Sequence, residues 1–243
     1  MKPSASALAL LPICQYWARD EVKWDWDPPG PAAAFGTTVH GLAEAFIKGD
    51  GNATINGKAT ITPGDDEKLI AVWGVLRDWL DQDRTGWQAE VKFIWSHIFD
   101  TSRIVTLDGP REYGRLATGE ISGTADIVCV RGDTVTVYDL KTGKAPASSY
   151  QAQMQALGLF AARAFKVPRA RTVIVKVTDK KVTQYAEELD ARMLNAITRD
   201  LRSLFLDIPT AEPRTGGHCL SMYCKARKSC PAFAPLAGVD AHV

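Results

Sequence analysis

Two aspartates and a lysine lie close together in the segments Gly123-Thr-Ala-Asp126 and Tyr138-Asp139-Leu-Lys141. Side chains on a β-strand alternate between faces, so Asp139 and Lys141, two apart, share one face. Val135 and Val137 precede them on it, while Thr136, Tyr138 and Leu140 take the other. An apolar face that ends in an acid and a lysine is a chemical signal, because buried charge is costly unless it is paired or binds metal. Residues 121–130 read as one strand, Arg131-Gly132-Asp133 as a turn and residues 134–141 as the returning strand. Asp126 therefore lies on a strand beside the one carrying Asp139. Neighbouring carboxylates repel, and a divalent cation relieves the repulsion. Oxygen ligands of this kind favour Mg²⁺ or Mn²⁺ over zinc. The alternative at this point is a surface hairpin with an ordinary Asp–Lys pair.

Two helices have to position further groups around that hairpin. The run Phe35-Gly-Thr-Thr-Val-His40-Gly-Leu-Ala-Glu44 predicts a helix over residues 31–48, with Asp27-Pro-Pro-Gly before it and Gly49 ending it. His40 and Glu44, four apart, share a face of that helix. A structural histidine is the plainer reading of His40 alone. After the Lys141-Thr-Gly-Lys144 turn, Tyr150-Gln-Ala-Gln153-Met-Gln-Ala-Leu157 opens a second helix to about residue 165. A glutamine there could orient water or a phosphate, or belong to a polar stripe.

In this order the features resemble the PD-(D/E)XK nuclease superfamily in its RecB/AddB-like branch, which includes the CRISPR-associated RecB-like exonucleases. They are a histidine on an early helix, Gly-x-x-Asp, Asp-x-Lys on the next strand and a glutamine-bearing helix, over roughly residues 35–160. The resemblance implies that His40, Asp126 and Asp139 bind Mg²⁺ or Mn²⁺ with the backbone carbonyl of Leu140. It implies a catalytic role for Lys141, with Asp126, Asp139 and Gln153 completing the site. Gln153 matches the family's Gln-x-x-x-Tyr motif, but Leu157 stands where the tyrosine would be.

There are five cysteines, and three of them cluster near the end of the chain, in Gly217-His-Cys219-Leu-Ser-Met-Tyr-Cys224-Lys-Ala-Arg-Lys-Ser-Cys230-Pro231. That clustering, with glycine and proline flanks, has the look of metal ligands in a loop. Cys14 is the natural fourth ligand, whereas Cys129, inside Ile127-Val-Cys-Val130, reads as a small buried hydrophobe. A subset of RecB-like nucleases holds a 4Fe–4S cluster with the same one-plus-three arrangement, fastening the chain ends together. Here four residues separate Cys219 from Cys224, where that subset typically has two. Four thiolates suit iron–sulfur or Zn²⁺, and His218 in place of one cysteine would favour zinc. With an odd cysteine count and no secretory pattern, a disulfide framework is not expected, and cytoplasmic placement follows.

The 243 residues, 46% of them hydrophobic, suffice for one domain with a substantial core. A net charge of +1 does not itself announce nucleic acid. Two local groups, Lys225, Arg227 and Lys228 and then Lys166, Arg169 and Arg171, could hold phosphates or be ordinary solvated charges. No apolar run is long enough to cross a membrane. Residues 4–21 read as a helix capped by Ser4 or Ser6, with Cys14 near its middle. Trp24 and Trp26 lie in a loop and could stack on bases or pack on the cysteine site. Residues 50–63 form a linker and 65–82 a helix with an apolar stripe. Residues 87–99 and 103–107 read as strands, with a turn at Asp108-Gly-Pro110. Glu90, on the first of them, either assists the metal or faces solvent. Strands follow at 172–177 and 182–187, then a helix from an Asp190 cap to about residue 205.

The fold expected is α/β: a restriction-endonuclease-like core with a central mixed β-sheet flanked by helices, and chain ends joined by the cysteine metal site. One nuclease domain would span 1–243, its core about 31–206. The strand–helix–strand step from 134 to 177 should be a right-handed crossover between parallel strands. The function expected is a metal-dependent DNA nuclease, an exonuclease acting on DNA ends in recombination, repair or phage DNA processing. Its partner would be DNA, single-stranded or with free ends, with a homo-oligomer or a recombination protein as further partners. The alternatives are a non-catalytic nucleic-acid-binding protein and a zinc-stabilised interaction protein of the same fold.

Overall fold

The computed structural model describes residues 4–19, 21–23, 30–49, 54–55, 58–59, 67–82, 85–106, 112–221, 224 and 226–233. Trp24, Trp26, the turn at Asp108-Gly-Pro110 and Lys225 lie outside them.

Helix α1, Pro31–Lys48, begins on a proline, whose missing N–H costs nothing in a first turn, and ends at Gly49 with φ 76°. A short hairpin, β1 (Thr54–Ile55) and β2 (Lys58–Ala59), lies within the expected linker. Helix α2, Glu67–Leu80, follows. Next come strands β3 (Trp87–Ser96), β4 (Thr101–Val105), β5 (Glu120–Arg131) and β6 (Thr134–Lys141). Helix α3 (Gln151–Phe165) leads to β7 (Arg169–Val177), β8 (Val182–Leu189) and helix α4 (Ala191–Asp207). Asp190 caps α4 by accepting from Met193 N–H at 2.7 Å.

Six strands form one mixed sheet in the order β4-β3-β5-β6-β7-β8. All neighbours are antiparallel except β6 and β7, which run parallel with Thr134 beside Arg169 and Lys141 beside Lys176. A parallel pair needs a crossover, and α3 supplies it. Two cores sandwich the sheet. On one face Val39, Ala43, Leu76 and Leu80 of α1 and α2 meet Ile127, Leu140 and Val175. On the other, Met154, Leu157 and Phe160 of α3 meet Val91, Phe93, Ala125 and Val137, together with Leu8 and Trp17 from the start of the chain.

That second face explains Gly123. A Cβ there would come within 2.8 Å of Leu157 and 2.9 Å of Ala5. The glycine lets α3 and the N-terminal segment close down on β5, three residues before Asp126. The same segment departs from expectation. Residues 4–21 do not form one α-helix but two 3₁₀ helices, Ala5–Leu10 and Tyr16–Ala18. Pro12 lacks an N–H and its ring would clash with the carbonyl of Leu8, so the helix cannot run on to Cys14. Ser4 takes the cap position without a capping bond, its hydroxyl lying 3.1 Å from that of Ser6.

Candidate active site

The site lies where the sheet stops pairing. Strand β5 bonds to β6 from Arg131 and Thr134 up to Ile127 and Tyr138. One step further, where Asp126 and Asp139 would face each other, the ladder ends. There the Asp126 carboxylate replaces a backbone acceptor, and Leu140 N–H donates to its Oδ2 at 2.5 Å. The N–H and C=O of a strand residue point to the same neighbour. The Leu140 carbonyl therefore faces the same opening.

A matching interruption lies on the other side of β5. The β3–β5 register is continuous from Trp87 and Cys129 to Ser96 and Glu120, yet Glu90 and Asp126 form no bridge. Glu90 has φ 51°, the left-handed region that a glutamate rarely enters. Trp87 packs toward α1 and α2, whereas Val91, Phe93 and Trp95 pack toward α3. The alternation therefore shifts phase at Glu90. It shifts again on β5, where Ala125 joins the α3-side core and Ile127 the opposite one. The two shifts lie opposite each other and cancel, so the register survives. Glu90 and Asp126 are left to line the cleft. Backbone strain of this kind persists where surroundings over-determine it, characteristically at functional sites.

Helix α1 presents His40 to this opening, with Nδ1 3.0 Å from Asp126 Oδ1. His40, Glu90 and Asp126 each offer a ligand atom within 4.8 Å of the others. Asp139 is 2% exposed. Its Oδ1 accepts from Gln153 Nε2 at 3.0 Å, and its Oδ2 lies 2.5 Å from Lys141 Nζ. That last contact is a charge-assisted one, the Lys141 ammonium donating to a buried carboxylate. Lys141 Nζ also lies 4.7 Å from the centre of the Tyr150 ring, a cation–π position.

Three carboxylates, of Glu90, Asp126 and Asp139, meet two cations, His40 and Lys141, at this end of the sheet. Burial pushes Asp139 up to about 6, with the Asp126 charge adding to it and Lys141 opposing. Asp126 is held below its usual range: burial would raise it, but His40, Lys141 and the Leu140 N–H prevail. Burial would lower His40, yet Asp126 raises it to about 9. Lys141 is raised in the same way, Asp139 and Asp126 outweighing its burial. A hard dication fits this donor set. The imidazole nitrogen of His40 and the carboxylates of Glu90 and Asp126, with the buried Asp139 beside them, make a site built for positive charge.

A cleft of about 1220 Å³ opens over these groups, bounded by Ser4–Ser6, by residues 113–120 and by the end of α4. The structure thus gathers His40, Asp126, Asp139, Leu140, Lys141 and Gln153 at one end of the sheet. Glu44 is not among them, since it pairs with Lys48 at 2.5 Å. Leu157 is buried in the core against Gly123, and the aromatic ring near Lys141 comes instead from Tyr150. Tyr150 lies three residues before Gln153, and that helical spacing was a readable signal of a shared face.

The structure pairs two members of the basic group at Lys166, Arg169 and Arg171 with acids on neighbouring strands or turns. Arg169 binds Asp133 at 2.5 and 2.6 Å, and Arg171 lies 3.3 Å from Glu188. Both sit toward the start of β7, with Arg169 about 23 Å from the level of Lys141 at the strand rise of ~3.3 Å per residue.

At the chain ends Cys14, Cys219 and Cys230 are buried and Cys224 is half-buried. Burial pushes the Cys224 thiol up, and the sulfurs of Cys219, Cys14 and Cys230 add to it, so the four feel one another. Among the described residues no three cysteines bring their sulfurs within 4.8 Å of one another. A single tetrahedral zinc with ~2.3 Å bonds would draw them to about 3.8 Å. Cys219 Sγ also lies 3.5 Å from His218 Nε2. Ser229 Oγ donates to Lys23 carbonyl at 2.6 Å and Arg19 Nη1 to Ala211 carbonyl at 3.1 Å, tying the same regions together.

No described helix is long and apolar enough to cross a membrane. No curated protein matches the chain. Among solved structures it is similar to SSO0001, with 19% identity, 68% of each chain covered and a TM-score of 0.34. It is also similar to the alkaline exonuclease LHK-Exo from Laribacter hongkongensis, with 14% identity, 86% of this chain and 88% of that one covered, and a TM-score of 0.35. The profile of the PD-(D/E)XK nuclease superfamily matches residues 3–231, nearly the whole chain with its split sheet, paired acids and lysine. The chain belongs to the PD-(D/E)XK nuclease superfamily.

Proposed function

We propose that this nuclease is a Mg²⁺- or Mn²⁺-dependent deoxyribonuclease that degrades DNA from its ends. The observation that carries the reading is the convergence of His40, Glu90 and Asp126 beside the buried Asp139–Lys141 pair. When bound, the cation supplies charge neutralisation at the phosphate and a lowered pKa for water. His40, Asp126 and Asp139 hold it, with the Leu140 carbonyl, and Glu90 joins them. Gln153 fixes the Asp139 carboxylate by donating to Oδ1. Lys141, kept charged by its two acidic neighbours, stabilises the negative charge that develops on the phosphate.

The open cleft favours a chain-like substrate, since its volume exceeds the usual ~300–1,000 Å³ of a small-ligand pocket. The test is digestion of end-labelled linear and closed circular DNA, single- and double-stranded, with Mg²⁺, Mn²⁺ or EDTA. Loss of label from linear DNA alone, abolished by EDTA, is the expected result. Equal cutting of closed circles would replace end-directed action with internal cleavage, and no cutting of any substrate would leave a non-catalytic DNA-binding protein.

We further propose that Cys14, Cys219, Cys224 and Cys230 hold a 4Fe–4S cluster that fastens the chain ends. The one-plus-three cysteine arrangement, with the four sulfurs close enough to influence one another, supports the reading. The closeness of His218 to Cys219 supports zinc instead. A broad absorption near 400 nm with iron and sulfide in the purified protein selects the cluster, and stoichiometric zinc without colour selects the other metal. Recombination, repair or phage DNA processing, in the cytoplasm, would use such an enzyme.

A further inference from the structure

The turn between β3 and β4, residues 97–100, exposes two large apolar side chains, Ile98 at 54% and Phe99 at 75%. Leaving a phenylalanine so exposed is unfavourable unless something covers it. The turn is firmly held. Asp100, with φ 50°, accepts from Trp95 Nε1 at 3.1 Å, Arg163 Nε at 3.0 Å and Thr198 Oγ1 at 3.3 Å. Arg202 Nε donates to the His97 carbonyl at 2.6 Å and its Nη2 to the Ile98 carbonyl at 3.2 Å. Phe99 is therefore presented on a fixed support.

That support is part of the rim of the catalytic cleft. His97 lines it, and His97 N–H donates to the Gly119 carbonyl at 3.0 Å, joining the turn to the segment that forms another wall. A Cβ on Gly119 would meet Ile98 at 2.8 Å. Leu206, 76% exposed, also lines the cleft, one helical turn beyond Arg202.

Outside the catalytic cluster the acids lining the cleft are already paired, Glu21 with Arg19 and Glu120 with Arg103, which leaves Arg115 and Arg202 over. Arg202 is bound to carbonyls rather than to carboxylates. Arg115, exposed on the 113–119 wall, has no carboxylate partner among the described residues. An exposed aromatic ring on the same rim as guanidinium groups without acidic partners matches one polymer in particular, a single nucleic-acid strand with stacking bases and anionic links.

Resting on the nuclease reading, we propose that this rim is a subsite for the unpaired strand of a DNA substrate, with Phe99 stacking on a base and Arg115 contacting a phosphate. It positions the strand beyond the scissile bond, and neither residue takes part in the chemistry. The commitment is to DNA, with a second copy of the chain as the competing occupant.

The test uses the full chain and a fluorescein-labelled 15-mer single strand. Binding is read by anisotropy in EDTA, degradation by KM and kcat with Mn²⁺, and self-association by sedimentation. Phe99→Ala should weaken binding on the order of tenfold and raise KM with kcat unchanged, while Phe99→Trp restores both. Arg115→Ala should weaken binding severalfold and lower the salt slope by about one phosphate contact. Wild-type binding and KM in both alanine variants would overturn the proposal. So would a Phe99→Ala change confined to sedimentation. If wild-type protein cuts no DNA, the nuclease reading fails, and the anisotropy series still decides the rim.

Discussion

The two ends of strands β6 and β7 carry charges of the same kinds to opposite effect. At the Thr134–Arg169 end, Arg169 and Asp133 form an exposed pair. At the Lys141 end, Asp139 is almost fully buried beside Asp126, and burial pushes its carboxyl up to about 6 despite the Lys141 ammonium, while Glu90 adds a third acid to the two cations. Exposed pairs are screened by water and contribute little. Buried and unequal charges are costly, and a fold keeps them where they bind something. The sheet ladder makes the difference: it is intact at the first end and open between Asp126 and Asp139 at the second.

The largest expected effect breaks the buried end. Lys141→Ala removes the one side-chain ammonium in contact with Asp139 and should slow DNA hydrolysis on the order of a hundredfold or more, equivalent to ~3 kcal/mol of barrier. Asp139→Ala should lose at least as much. Each variant leaves the other member of a buried pair uncompensated, so each should melt below the wild type while still unfolding cooperatively. Wild-type turnover in Lys141→Ala would remove that residue from the mechanism.

Next in size is a pH effect on the same charges. His40 is raised from 6.5 to about 9: burial opposes the shift, and the attraction and hydrogen bond of Asp126 outweigh it. A folded pKa above the unfolded value means that folding takes up a proton. The stabilisation is complete below about 6.5 and is lost as pH rises through about 9. In EDTA, melting experiments should show stability falling by ~1–3 kcal/mol across that window. His40→Ala should flatten the profile. A flat profile in the wild-type protein would mean that the imidazole gains no charged partner on folding.

Much of this arrangement was readable in the sequence, for identifiable reasons. The Asp126–Asp139–Lys141 hairpin follows from strict alternation of period two around an Arg-Gly-Asp turn. Helix α1 follows from Pro31 and Gly49 at its ends, and its histidine from a family order of motifs. Glu90 stays open between two roles in the sequence because its place in the site comes from a cross-strand event. Only pairing with β5 reveals that both strands change phase at one level. The first helix was misread because its apolar spacing outweighed Pro12. The ion pairs of Arg169 and Arg171 are not legible because Asp133 and Glu188 are distant in sequence and adjacent only after pairing. Local periodicity is legible, whereas partners brought by the sheet are not.

Glu90 lets the strain be separated from the chemistry. Glu90→Gly accepts φ 51° without steric cost, so it should raise metal-free stability by about 1 kcal/mol in denaturant melts. It also removes a carboxylate from the His40–Asp126 cluster and should weaken Mn²⁺ binding tenfold or more in titration calorimetry, at least the loss typical of outer-sphere partners. Stability and function then move in opposite directions, as expected where a backbone is held strained for its ligand. A variant losing both would make Glu90 a structural residue.

The smallest expected effect tests the exposed end. If Arg169 and Asp133 only neutralise each other at the surface, Arg169→Ala should leave the melting temperature, the hydrolysis rate and the salt dependence of DNA binding within error of wild type. A phosphate ligand would behave otherwise, because each lost contact lowers the slope of log affinity against log salt by about 0.7–0.9. Asp133→Ala discriminates further. It frees the guanidinium, and a strand passing that end of the sheet would then bind more tightly and with a steeper salt dependence. Unchanged slopes in both variants place the DNA at the open end of the sheet alone. A change in either would extend its path along β7, toward the level of Thr134.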